Sequence, residues 1–205
     1  MDFQPVRGDV APTVEGVLAR PAPRQSSARF RLKAATAEAH ERLDRIYSAF
    51  DLRRREDYGC FLRSLAVAFV PVEAALAAGG IARLVSGWSA TVRSDALRRD
   101  LDDLSLALPP FALSPAFSTV PELLGALYVL EGSRLGGTML ARSVAPGLPF
   151  RFLASTNASG WRDLTKLIDE RLRDVADLRA AARSAAAVFD LFEHAARTAA
   201  GTRAS

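Results

Sequence analysis

The chain is poor in the residues that usually announce a site. Its 205 residues include one Cys, two His and two Met. A single cysteine excludes a disulfide framework, and with two histidines it cannot build a zinc-finger array. This usage fits a reducing compartment. Lysine is almost absent, at Lys33 and Lys166 only, so 25 of the 27 basic residues are arginine. These are interspersed with 23 acidic residues, and no basic stripe interleaved with aromatics is present. No nucleic-acid partner is expected on that ground. The longest uncharged run, Leu104 to Pro121, contains Pro109, Pro110, Pro115 and Pro121, so it cannot form a spanning helix. The start Met1-Asp2 opens no apolar core of the signal-peptide kind. A soluble, cytoplasmic protein without a membrane partner is the expectation.

What is present is an ordinary globular composition, 49% hydrophobic and 24% charged, with a net charge of +4. The length suits one domain. Residues 1–28 hold Pro5, Pro12, Pro21 and Pro23 and no sustained period. They read as a mobile N-terminal tail ahead of a domain at 29–205, because such a segment buries too little to offset its ordering entropy. From there helix follows helix. Leu32, Ala35, Ala39, Leu43, Ile46 and Phe50 keep the three-four spacing of an amphipathic helix. A second helix is expected from Arg54 to Ala78, kinked at Pro71 and stopped by Gly79-Gly80. A third is expected from Val92 to Leu108 and a fourth from Thr119 to Arg142. A single long helix from Gly160 to Arg197 is expected to put Trp161, Leu164, Ile168, Val175, Leu178, Phe189 and Phe192 on one face. No alternating β-branched segment competes. The fold class is all-α, a single-domain helical bundle around one core.

Two helices could carry chemistry. In the first, Lys33, Thr36 or Ala37, His40, Asp44 and Tyr47 form a stripe beside the apolar face. Asp44 lies one turn beyond His40, so its carboxylate can accept a proton from one ring nitrogen and leave the other as a lone-pair donor. A surface histidine in a mildly stabilising helix pair would look the same. In the fourth, Thr119 and Glu122 have capping-box spacing, and Pro121 fits the first turn. Gly132, Gly136 and Gly137 then fall inside the helix, where three glycines cost roughly 3 kcal/mol relative to Ala. Gly132 and Gly136 share a face. A bare backbone there admits either something flat and close or a tightly packed neighbouring helix.

Together the two segments resemble a known family. Leu32-Lys33-Ala34-Ala35-Thr36 through His40 and Asp44 resembles the proximal helix of haem oxygenases. Tyr128-Val129-Leu130-Glu131-Gly132-Ser133-Arg134-Leu135-Gly136-Gly137 resembles their distal helix, in the bacterial form often associated with bacteriophytochromes. Their order also matches, and the resemblance spans residues 29–199. It implies a haem-oxygenase-like bundle that cleaves haem to biliverdin, releasing carbon monoxide and ferrous iron. Haem would be cofactor and substrate and dioxygen the co-substrate. Electrons would come from a ferredoxin or a reductase, and a bacteriophytochrome is a candidate partner. His40 would be the axial iron ligand, with Asp44 behind it. Lys33 would contact a propionate. Gly132 and Gly136 would let the distal helix lie close over the haem and leave room for dioxygen. Where some members carry Asp after the first distal glycine this chain has Ser133, as do other bacterial Glu-Gly-Ser members, and it can hold a water.

Other candidates read as structural. His194 is a helix-end residue, Cys60 a small core residue, Arg53-Arg54-Arg55 a solvated corner and Glu131 a solvated acid. Arg134 could face a propionate or solvent. The alternative function is a haem- or bilin-binding sensor on the same fold without turnover. A phosphotransfer helix around His40 is a weaker rival, since no glycine follows His40 within four residues.

Overall fold

A computed structural model of the protein describes residues 27–110, 115–155 and 157–203. Among these residues seven α-helices carry the fold: α1 Ala28–Tyr47, α2 Arg55–Ala78, α3 Ser94–Asp103, α4 Val120–Leu140, α5 Arg151–Ala154, α6 Ala158–Arg171 and α7 Val175–Arg203. Short 3-10 turns lie at Ile81–Arg83, Trp88–Thr91 and Ala141–Ser143, and no strand occurs among the described residues. The all-α class read from the sequence is the class found.

The core is organised around α7, on which α1, α2 and α4 all pack. Ala181, Ala185 and Val188 of α7 are fully buried, and their small side chains permit close approach. At Gly125 that approach is closest. A Cβ built there would stand 2.1 Å from the Ala181 carbonyl oxygen, so only glycine fits. One turn earlier the Ser184 hydroxyl donates to the Glu122 carbonyl at 2.8 Å. The start of α4 is fixed by the capping box read from the sequence: Thr119 Oγ1 accepts from the Glu122 N–H, and the Glu122 carboxylate accepts from the Thr119 N–H. The helix α2 runs continuously through Pro71, and Gly80, at φ 84°, follows its end. Although α2 is long and apolar enough to cross a membrane, just over half of its apolar window is buried inside the bundle.

Three expectations need correction. The single C-terminal helix is two, α6 and α7. Buried Leu172 leaves helical geometry at φ −96°, ψ 64°, and the Asp174 carboxylate then accepts the Asp177 N–H at 2.7 Å to start α7 afresh. Trp161, Leu164 and Ile168 therefore belong to α6, while Val175 is exposed at the first turn of α7. The third helix is shorter at both ends than expected. Glu73 of α2 accepts the N–H groups of Arg93 and Ser94 at 2.9 and 2.8 Å and sets its beginning. Ser105, at φ 57°, turns the chain away after its end. The first helix ends at Tyr47, although Phe50 still reaches the core. The expected tail falls mainly on residues 1–26, outside the described residues. Its last residue, Ala28, already belongs to α1, and the neighbouring Arg29 N–H donates to Asp169 of α6 at 2.9 Å.

Candidate functional site

On α1 the expected stripe divides. Lys33, Ala37, His40 and Asp44 are exposed, whereas Thr36 turns into the core and donates to the Leu32 carbonyl at 3.0 Å. Tyr47 also turns inward, its ring edge-on to Phe61. The Asp44 Oδ2 lies 2.8 Å from the His40 Nδ1. That contact commits Nδ1, so Nε2 is the ring nitrogen available to another partner. The imidazole, 63% exposed, also stands edge-on to Phe189 of α7 at 5.9 Å, so a carboxylate and an aromatic ring both restrict its orientation. Two residues on, the Arg42 Nε donates to Glu193 at 3.1 Å and ties α1 to α7. Hydrogen bonds from Arg197 and from Arg42 hold the Glu193 carboxyl below its usual range.

On α4 the glycines read from the sequence form a longer ridge than expected. Gly125, Gly132 and Gly136 are spaced seven and four apart and therefore line up on one side of the helix. Their surroundings differ. Gly125 meets the α7 backbone, and a Cβ on Gly132 would sit 3.7 Å from the Trp161 ring of α6. A Cβ on Gly136 would meet nothing within 4 Å. Leu135, Met139 and Leu140 flank Gly136, and all three are exposed, Met139 by 71%. The C-terminal half of α4 thus carries an apolar surface around a bare backbone patch at Gly136, with no group of the described residues upon it. Tyr128, one turn before Gly132, packs on Trp161 at 5.5 Å and reaches Thr36 of α1. Burial raises the Tyr128 pKa, and the Thr36 contact offsets part of that shift.

The opposite side of α4 is charged and closed, contrary to the reading of Glu131 and Arg134 as residues near solvent. Both are buried and paired at 2.8 Å. Arg134 also donates to Ser155 Oγ at 2.7 Å and to the Thr91 carbonyl. Beside them lies Arg93, which is 2% exposed. Its guanidinium sits between the rings of Phe69 and Phe152, at 4.6 and 4.8 Å. Burial, reinforced by the Arg134 charge, lowers its pKa to about 9. Its Nη2 donates to Ser133 Oγ at 2.8 Å and to the Leu130 carbonyl. The Ser133 hydroxyl proton is itself given to Leu130 O at 2.7 Å. Ser133 is exposed with its proton committed and one acceptor position open.

Of the sequence-predicted residues, Lys33, His40 and Asp44 share one exposed stripe of α1, and Gly132, Ser133 and Gly136 lie together on α4. The arginine corner is partly structural, since Arg55 donates to the Leu104 carbonyl at 3.0 Å. Cys60 is half-buried and lines a shallow recess with Gly59, Arg63 and Leu106, apart from both helices of interest. His194 is exposed near the end of α7. Sequence reasoning missed Gly125, whose place on the glycine ridge was visible in the spacing. It also missed Arg93, whose link to Ser133 exists only through the tertiary fold.

Comparison with known proteins bears on the family and the fold. No family model matches the chain. A haem oxygenase from Xanthomonas campestris pv. campestris is 36% identical over 114 residues, 52% of this chain and 68% of that protein. Haem oxygenase PigA of Pseudomonas aeruginosa is 28% identical over 186 residues, 85% of this chain and 94% of that protein. The fold matches the NO- and CO-bound haem oxygenase of Neisseria meningitidis with a TM-score of 0.74 at 21% identity, covering 86% of this chain and 93% of that one. With a relative of 36% identity aligned along most of its own length, and with the fold shared, the chain belongs to the haem oxygenase family of enzymes.

Proposed function

We propose that the protein cleaves haem to biliverdin, with release of carbon monoxide and ferrous iron, using dioxygen and external electrons. The observation that carries this is the pairing of an oriented, accessible imidazole on α1 with a bare, apolar-flanked backbone patch on α4. A flat, largely apolar macrocycle with a metal at its centre fits that pair of surfaces. When bound, haem supplies the iron that activates dioxygen and the porphyrin that is oxidised.

His40 would offer Nε2 to the haem iron, and Asp44, holding Nδ1, would fix the tautomer and the orientation of the ring. Lys33, two turns before His40 on the exposed stripe, attracts a propionate. Gly136 lets the α4 backbone approach the macrocycle without offering a competing ligand. Gly132, one turn earlier, would border the macrocycle where the Trp161 ring lies over the helix. With its own proton held by Leu130 and its oxygen anchored by Arg93, Ser133 could accept a hydrogen bond from a water and so orient it beside the bound haem, where that water rather than the serine would be the proton source. The net charge of +4 favours an acidic electron donor such as a ferredoxin, and a cytoplasmic setting would supply one.

The test is to load the purified protein with hemin and add a reductant in air. Loss of the Soret band with growth of a biliverdin absorption supports turnover. Stable haem, with the Soret band intact after reduction, would instead identify a binding protein on the same fold.

A further inference from the structure

We propose that Trp161 is a specificity-determining wall of the haem site, setting how far a porphyrin extends along α4 and therefore which meso edge is oxidised. The inference rests on the haem reading above.

Gly132 and Gly136 look equivalent in sequence, one turn apart on one ridge, yet they have different neighbours. The space over Gly132 holds the Trp161 indole, whose nearest ring atoms lie 3.7 and 3.8 Å from the position of an added Cβ. The space over Gly136 is open. A flat ligand resting on Gly136 and sliding toward the start of α4 therefore meets the indole after one turn, about 6 Å along the helix. The indole is held in place from two sides. It packs on the Tyr128 ring at 5.5 Å with an interplanar angle of 39°, and Tyr128 is itself half-buried. Its own helix starts just before it, where the Asn157 side chain accepts the Gly160 N–H at 3.0 Å. An aromatic plate set on α6 and packed on α4 is a better stop than a flexible side chain, because little rotamer freedom is lost on contact. The missing Cβ of Gly132 thus seats the wall, and that of Gly136 seats the ligand.

The experiment uses 5-fluorotryptophan-labelled protein, which gives two fluorine resonances, from Trp88 and Trp161. Trp88→Phe and Trp161→Phe assign them. Gallium protoporphyrin IX, a diamagnetic probe that cannot turn over, is added, and binding is followed by its absorption band. The Trp161 resonance should move by ring-current shift. That of Trp88, buried near Thr91 on the closed side of α4, should stay nearly fixed. With hemin and reductant, Trp161→Ala should redistribute the biliverdin isomers and weaken hemin binding by roughly 3- to 10-fold. Trp161→Phe should restore the parent distribution. If the porphyrin binds while the Trp161 resonance stays still, the wall is elsewhere and the haem reading survives. An unchanged isomer pattern in folded Trp161→Ala and Trp161→Leu likewise removes the specificity role alone. If neither porphyrin binds, both proposals fall. The resonance measurement uses the parent sequence, so its outcome does not depend on a variant folding.

Discussion

The two halves of α4 use glycine for opposite ends. In the first half the helix is buried on nearly every side, and Gly125 lets its backbone press onto α7. In the second half the helix has a closed back, where Glu131 and Arg134 pair in the interior, and an open front, where Gly136 faces empty space between exposed Leu135 and Met139. A glycine in a helix interior therefore has no single meaning, and its neighbours decide whether it serves packing or access. Within Glu131-Gly132-Ser133-Arg134 the usual polarity is inverted: the charges point inward and hold the helix, while the small residues point outward.

The comparison is most severely tested on the closed back. Glu131→Ala would leave Arg134 buried without its carboxylate, and thermal or urea unfolding should show a loss of about 3–5 kcal/mol. A loss below ~1 kcal/mol would mean that Glu131 is effectively solvated. Next comes Gly125→Ala, whose methyl collides with the Ala181 carbonyl oxygen and must push α4 off α7, at a cost of about 1–3 kcal/mol. Unaltered stability would remove the close helix contact from the account.

Smaller effects sharpen the same contrast. Thr119→Ala removes the N-cap of α4 and should cost about 1 kcal/mol. The accompanying acid dependence has a definite sign. The Ser118 and Thr119 N–H groups hold the Glu122 pKa below 4.5, so its stabilising contribution is present above that unfolded value and fades as pH falls through the folded one. Glu122→Gln should flatten that acid limb, and a parallel pH profile for the two proteins would contradict the capping account. At the other end of the helix, Gly136→Ala should be neutral or stabilise the ligand-free protein by up to ~1 kcal/mol, in contrast to Gly125→Ala. Gly136→Leu should leave the apo melt close to that of the parent but impair hemin binding. A low apo melt with normal hemin affinity would turn Gly136 into a packing residue.

The sequence was legible wherever a local rule governed. The helix class, the Thr119–Glu122 box and the His40–Asp44 spacing all depend on residues three or four apart, and each is found as read. The break between α6 and α7 was missed because apolar periodicity runs across Leu172, although the cap at Asp174 and Asp177 was present in the letters. The inward turn of Glu131 and Arg134 was illegible for another reason. The further partners of Arg134, Thr91 and Ser155, come from distant parts of the chain, and a buried ion pair looks like any helical i, i+3 pair until those partners are in place. The same holds for Ser133, whose hydroxyl is set by Arg93, 40 positions away.

The most direct measurement of the central claim is a hemin titration of the parent protein beside His40→Ala, followed at the Soret band in the ferric and ferrous states. The account predicts one-to-one binding with an imidazole-ligated spectrum in the parent, loss of that signature in His40→Ala, and no change in His194→Ala. An identical spectrum and affinity in parent and His40→Ala would contradict it, since the iron would then be held by some residue other than the one α1 presents.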